Sequence, residues 1–244
     1  MLGFYPIQGI AMKLVTFFKG HWQLALMTAI VFAFWNYPPM YPFRMLVVFL
    51  HEASHALMTL LTGGEVLELS LVPREGGHVK SRGGNLFYIA TAGYLGSLLL
   101  GALLFILALR SRADRLVVGG LGALMLILCV FYVREPFPLL FCIGGGSLAL
   151  ICARFLNEDI NDLLLRLIGL SSMIYVPYDI FSDTLARSHI RSDARIIAEM
   201  YWGTTIMWGS LWLIISVVFI AFIAKISLKN PSNIAFSRQK STQP

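Results

Sequence analysis

About seven apolar runs, each close to 20 residues long, leave few folds open to this chain. They fall at about 22–35, 43–62, 86–109, 116–133, 137–156, 163–181 and 204–226. A bilayer core about 30 Å thick is crossed by roughly 20 residues of helix. A helix also satisfies its own backbone hydrogen bonds where no water can do so. The runs therefore predict an all-α membrane protein, a polytopic bundle of about six to seven transmembrane helices, with the first and sixth the weakest. Of the 244 residues, 57% are hydrophobic and 13% charged, against about 25% charged in an ordinary soluble domain. The formal charge of +6 does not point to nucleic acid. Its lysines and arginines lie in short loops between apolar runs, where membrane proteins keep them. The two sets of loops carry similar numbers of them, so the charge rule sets no orientation and no particular membrane.

The ends are expected to lie outside this membrane domain, with an N-terminal segment at 1–21 and a disordered polar tail at 227–244. Lys13 and Lys19 precede the first run, which raises a signal peptide. No small-residue cleavage site closes that run. It ends instead in Phe34-Trp35-Asn36-Tyr37-Pro38-Pro39, an aromatic cluster suited to a membrane interface. Cys129, Cys142 and Cys152 all lie in apolar runs without metal-like spacing, and read as small buried residues. Gly144-Gly145-Gly146 in the fifth run permits either close helix packing or a break.

One stretch departs from the helical pattern. Within residues 63–85, Val66, Leu67, Leu69 and Leu71 are interleaved with polar residues, and Gly76-Gly77 suits a turn. This predicts a short β-hairpin-like insertion after the second helix. It is either an ordinary interhelical connection or an exposed sheet edge able to hold an extended peptide.

The second run carries His51-Glu52-Ala53-Ser54-His55. Histidines at i and i+4 share one helix face, one turn apart. Two neutral imidazoles there can bind one Zn²⁺, which brings the pKa of a coordinated water towards about 7. Glu52, beside the first ligand, is placed to act as general base. The motif sits between Met45–Leu50 and Ala56–Leu61, both apolar. Ionisable groups at such a position are costly and point to function; the alternative is a wet helix end at the interface.

A catalytic zinc takes a third protein ligand and leaves one position open. His21, His78 and His189 all lie near span ends or in loops. Asp179 and Asp183, again i and i+4, close the sixth run. Asp179 lies deeper, beside Pro177, which loosens or kinks the helix. It is the expected third ligand, with Asp183 as alternate or supporting partner.

Several separated stretches then resemble the peptidase M50B-like branch of the site-2-protease superfamily. They are His51–Gly64, Gly76-Gly77, Arg82-Gly83-Gly84 and Ala92–Ser97 with Gly101. Tyr178-Asp179-Ile180, Asp183-Thr184, Ser192-Asp193-Ala194, Trp202-Gly203 and Trp208-Gly209 complete the set. The resemblance spans roughly residues 45–225. It implies a multi-span intramembrane zinc metalloprotease, with His51 and His55 as ligands, Glu52 as general base and an aspartate of the sixth helix as third ligand. The resemblance supplies no substrate; the leading expectation is an endopeptidase that cuts a transmembrane or membrane-proximal segment of a membrane protein at the lipid bilayer. Two other readings compete with it. One is a non-proteolytic membrane scaffold or chaperone that retains a zinc site; the other is a transporter. No inverted repeat supports the transporter. Glu52 favours the enzyme, because a structural zinc site does not need a carboxylate beside its ligand.

Overall fold

A computed structural model describes the backbone of residues 5–234 and the side chains of 15–234. Eight helices and one hairpin follow in the order α1 (Tyr5–Phe34), α2 (Tyr41–Leu61), β1 (Glu65–Val72), β2 (Gly76–Arg82), α3 (Leu86–Arg110), α4 (Asp114–Tyr132), α5 (Pro136–Phe155), α6 (Glu158–Ile180), α7 (Asp193–Met200) and α8 (Thr205–Ser227). A single 3-10 turn at Pro38–Met40 leads into α2, and a π-helical turn at Phe181–Ala186 extends α6. Seven of these helices, all but α7, are long and apolar enough to cross a membrane. The protein is an integral, multi-pass membrane protein.

The first helix begins at Tyr5, well before residue 22, so much of the expected N-terminal segment is helix. Residues 228–234 fold back onto α1: the Ser232 amide donates to the Gly20 carbonyl at 2.9 Å, and His21 Nδ1 lies 2.8 Å from Ser232 Oγ. Arg166, buried in α6 and paired with Asp162, donates to the Ser232 carbonyl. A polar segment is held here because buried polar groups on α1 and α6 need partners. Residues 235–244 of the expected tail lie outside the described residues.

Small residues set the spacing between helices, as expected where lipid removes the hydrophobic drive for helices to associate. A Cβ added to Gly101 of α3 would lie 2.3 Å from Ser172 Cβ of α6, and one on Gly169 would lie 2.6 Å from the Gly101 carbonyl oxygen. The two helices therefore cross almost backbone to backbone. The glycine run in α5 packs in the same way at Gly146, against the Gly122 carbonyl of α4, and it does not break the helix. Near the site, the π-helical turn lies against α8 where Gly209 faces Thr184.

The hairpin runs back along α2. Its base lies at the end of α2, where the Gly64 amide donates to the Thr59 carbonyl at 2.8 Å. Its tip reaches the start of α2, where Tyr41 Oη donates to the Pro73 carbonyl at 3.0 Å. Lengths agree: eight strand residues extend about 26 Å and 21 helical residues about 31 Å. β1 and β2 pair antiparallel, and Leu67 is the extra residue where the register shifts between Val66 and Glu68. That bulge explains the adjacent apolar pair in the sequence. Leu69 and Leu71 alternate inward, and one extra residue turns Val66 inward with them while Leu67 faces out. β1 thus packs its apolar face into the cluster formed by α2, α4 and α5, whereas β2 stays largely exposed.

Candidate metal centre

His51, Glu52 and His55 occupy the middle of α2, the two histidines on the face turned towards α3 and Glu52 turned towards β2. Two features of the neighbours allow this. Gly93 of α3 has no side chain, so both imidazoles press against its Cα; a Cβ there would lie 2.5 Å from His51 Nε2 and 2.5 Å from His55 Nε2. Tyr94 closes the site from the side, with its ring edge-on to His51 at a centroid distance of 4.8 Å.

The orientation of His55 is fixed from behind. Its Nδ1 lies 2.7 Å from the Ile89 carbonyl of α3. A carbonyl only accepts, so Nδ1 carries a hydrogen; in the neutral ring that a metal would bind, Nε2 is then the nitrogen with the lone pair. This is the second contact through which a metal-ligating histidine is commonly held in orientation.

The third donor is Asp193. Its Oδ2 lies 3.1 Å from His51 Nε2 and 3.3 Å from His55 Nε2, while the two Nε2 atoms are 3.1 Å apart. Among the described residues these three form the one group of histidine, cysteine or carboxylate donors close enough to share an ion. Ligands at about 2.0–2.1 Å around a tetrahedral Zn²⁺ stand roughly 3.3 Å from one another. The triangle of donors has nearly that edge on every side, so the residues present fit the metal. Burial by itself would raise the Asp193 carboxyl. The neighbouring charge of His55 and the hydrogen bonds from His51 and His55 outweigh it and hold the carboxyl well below the usual carboxylate range.

Asp193 takes the place expected for Asp179 or Asp183. Those two line or border the same cavity but do not join the donor triangle. Asp183 is engaged elsewhere, accepting from Tyr94 Oη at 3.2 Å and pairing with Arg187 at 2.5 Å. Asp193 reaches the site from outside the apolar runs, on the first turn of α7. That helix starts where Ser192 Oγ accepts from the Arg195 amide at 3.4 Å. Ala194 and Ile197, three residues apart, are fully buried against α3 and α8. On the outer side Arg195 pairs with Glu199. This amphipathic turn carries the aspartate inward, and it is too short and too polar for its sequence to read as a span. The available signals were the Ser192 cap, the Ala194/Ile197 spacing and the Ser192-Asp193-Ala194 stretch.

Glu52 lies next to the triangle and is 4% exposed, with Oε2 lacking any hydrogen-bond partner in the protein. A buried carboxylate oxygen without a partner is costly, which suits a group whose partner arrives with a reactant. Gly77 of β2 passes directly over it; a Cβ there would lie 2.7 Å from both Glu52 Cγ and Oε1. The histidines, Glu52, β2, Tyr175, Asp179 and Asp193 enclose a cavity of about 950 Å³. His21 and His189 lie away from it; His78 is on its β2 wall.

Comparison with known proteins gives one match. Residues 24–223 match the family model described as Peptidase M50B-like. Searches of curated proteins and of solved structures return no match. The match covers most of the chain, and the protein belongs to the peptidase M50B-like family.

Proposed function

We propose that this member of the peptidase M50B-like family is a zinc metalloendopeptidase that cuts a membrane-embedded or membrane-proximal segment of another membrane protein. The convergence of His51 Nε2, His55 Nε2 and Asp193 Oδ2 within 3.1–3.3 Å carries the reading. In it, His51, His55 and Asp193 hold Zn²⁺, which when bound supplies an acidified water and a Lewis acid for the scissile carbonyl. Asp193 is proposed as third ligand in preference to Asp179 or Asp183.

The protein's own groups divide the remaining work. Glu52 is the general base: its unpartnered oxygen accepts the proton of the attacking water and can return it to the leaving amine. The Ile89 carbonyl keeps His55 in the tautomer that leaves Nε2 free. A substrate helix hides its carbonyls and must unwind to be cut. Among the described residues the outer edge of β2 has no strand beside it, and it runs along the cavity, so an unwound segment can add to the hairpin as a third strand. Gly77, having no side chain, lets β2 itself lie close over Glu52.

Glu52→Gln tests the reading. Glutamine is nearly isosteric but takes up no proton at neutral pH. Bound zinc and fold should be retained while peptide cleavage falls by at least about 10²–10⁴-fold, the usual general-base contribution. A scaffold would not register this change. If cells carrying Glu52→Gln match wild type in every phenotype that deletion causes, the scaffold reading replaces the protease one.

A further inference from the structure

The hairpin's position over Glu52 needs an explanation of its own. β1 is fixed by apolar contacts, with Leu69 and Leu71 almost fully buried. β2 has no apolar anchor of its own: most of its residues are exposed, among the described residues no strand flanks its outer edge, and it is tied to β1 by the ladder between them. The ladder fixes β2 to β1, and contacts at the hairpin's ends add to what sets the pair on α2 beside the cavity. The base is held by backbone approach at Gly64 and Gly84, where a Cβ on Gly64 would lie 2.9 Å from the Gly84 amide nitrogen.

The tip is held by Arg44. This arginine lies near the start of α2 and is only 9% exposed, although it carries a full charge within a membrane span. Its Nε lies 2.9 Å from Glu75 Oε1 at the hairpin tip. Its Nη1 donates to the Trp35 carbonyl in the connection from α1. Its guanidinium stands 5.9 Å from the centre of the Tyr41 ring, and Tyr41 Oη itself holds the Pro73 carbonyl at 3.0 Å. Glu75 adopts a left-handed backbone, φ +61°, the only non-glycine residue among those described to do so. A glutamate in that region is strained and persists only where its surroundings hold it. Trp35 in turn packs on Tyr175, a residue of the cavity wall, at 5.1 Å between ring centres.

We infer that Arg44 is a positioning residue: by clamping Glu75 and the Trp35 carbonyl together, it holds the β2 edge in register beside Glu52, so that an extended substrate segment is presented to the site. The inference rests on the protease reading for its purpose, but the clamp itself does not. Arg44 touches neither the metal ligands nor Glu52. Its effect runs through the hairpin, and its loss frees β2 while leaving the donor triangle intact.

The test uses the full chain in detergent micelles and reads amide deuterium exchange over residues 76–82, together with zinc content. The variants are Arg44→Gln, Glu75→Gln and the charge swap Arg44→Glu/Glu75→Arg. Glu75→Gln is the safeguard, because it alters only the hairpin tip should Arg44→Gln fail to fold. Removing one partner of a largely buried pair opens the structure it closes, so exchange over 76–82 should rise about tenfold or more in both single variants. Exchange over α2 residues 51–61 and zinc content should stay at wild-type values. The swap should restore part of the protection. A merely structural arginine would instead loosen α2 and β2 together, and that result overturns the proposal, as does unchanged exchange over 76–82 in folded Glu75→Gln. Cleavage separates the two levels. If wild type cuts a membrane-spanning reporter peptide but β2 exchange ignores the variants, the clamp fails and the protease reading stands. If β2 responds but wild type cuts nothing, the clamp stands and the protease reading fails.

Discussion

Replacing Gly93 by alanine is a one-methyl test of the donor triangle. The added Cβ would stand 2.5 Å from both Nε2 atoms and 2.6 Å from His55 Cε1. Ordinary contact to carbon is about 3.5 Å, so each ring must retreat by roughly 1 Å. His55 cannot do so freely, because its Nδ1 is held by the Ile89 carbonyl at 2.7 Å. Metal–ligand distances tolerate only about ±0.2 Å, so a shift of that size removes at least one ligand from the sphere. Disturbing a contact behind a ligand already costs about 10–100-fold in metal affinity. A direct displacement of two ligands should cost at least about 100-fold, with cleavage falling by a similar factor or more. The helix itself should gain slightly, since alanine is favoured over glycine there by about 0.5–1 kcal/mol. The assay is zinc content after equilibration in chelator-buffered zinc, beside thermal unfolding without metal. Gly144→Ala is the control, because a Cβ at that position meets nothing within 4 Å. Stoichiometric zinc at wild-type affinity in Gly93→Ala would refute the placement of the imidazoles against α3.

Two further substitutions separate the remaining parts of the site. Asp193→Asn should lower zinc affinity by at least about tenfold while Asp179→Asn leaves it near wild type; zinc titration of the two variants decides the third ligand, and the reverse order would return that role to α6. Gly77→Ala places a methyl 2.7 Å from Glu52 Cγ and 2.8 Å from the Ser70 carbonyl oxygen, so it should reduce cleavage by about 10²-fold with zinc retained. Equal losses of zinc and activity in that variant would show that the hairpin supports the metal rather than the base.

The spans and the hairpin were legible because both express simple periodicities: continuous apolar runs of bilayer length, and alternation at Leu69 and Leu71. The helical motif was equally direct, since i and i+4 spacing needs only a helix to bring His51 and His55 together. Three features were not legible, each for a physical reason. The bulge at Leu67 depends on register between strands, which no single strand specifies. The docking of residues 228–234 gives further partners to buried polar groups on α1 and α6, contacts more than 60 residues away in sequence. The approach of Asp193 to the histidines was not legible because depth in an apolar run singles out Asp179. Asp193 comes to the same cavity by a different route, carried inward on α7 by Ala194 and Ile197.

That route bears on how a bilayer protein can build a hydrolytic site at all. Water, a charged base and an extended peptide must meet where lipid would exclude each of them. On the protease reading, the problem is divided here among elements with different constraints. α2, α3 and α6 form the fixed part: Gly101 and Gly169 set α3 and α6 almost at backbone contact, and Gly93 brings α3 directly against the two imidazoles of α2. The donors that define the metal position therefore rest on atoms that cannot relax far. The hairpin is the adaptable part, fixed through β1 on one edge and free along β2 on the other. α7 connects the two, since it contributes one donor yet is only eight residues long and packs through two buried side chains. Asp193 thus stands on the shortest of the helices that supply the site. Among the three donors it has the least structure behind it, and it is where metal binding and local order in the connection between α6 and α8 should be most closely linked.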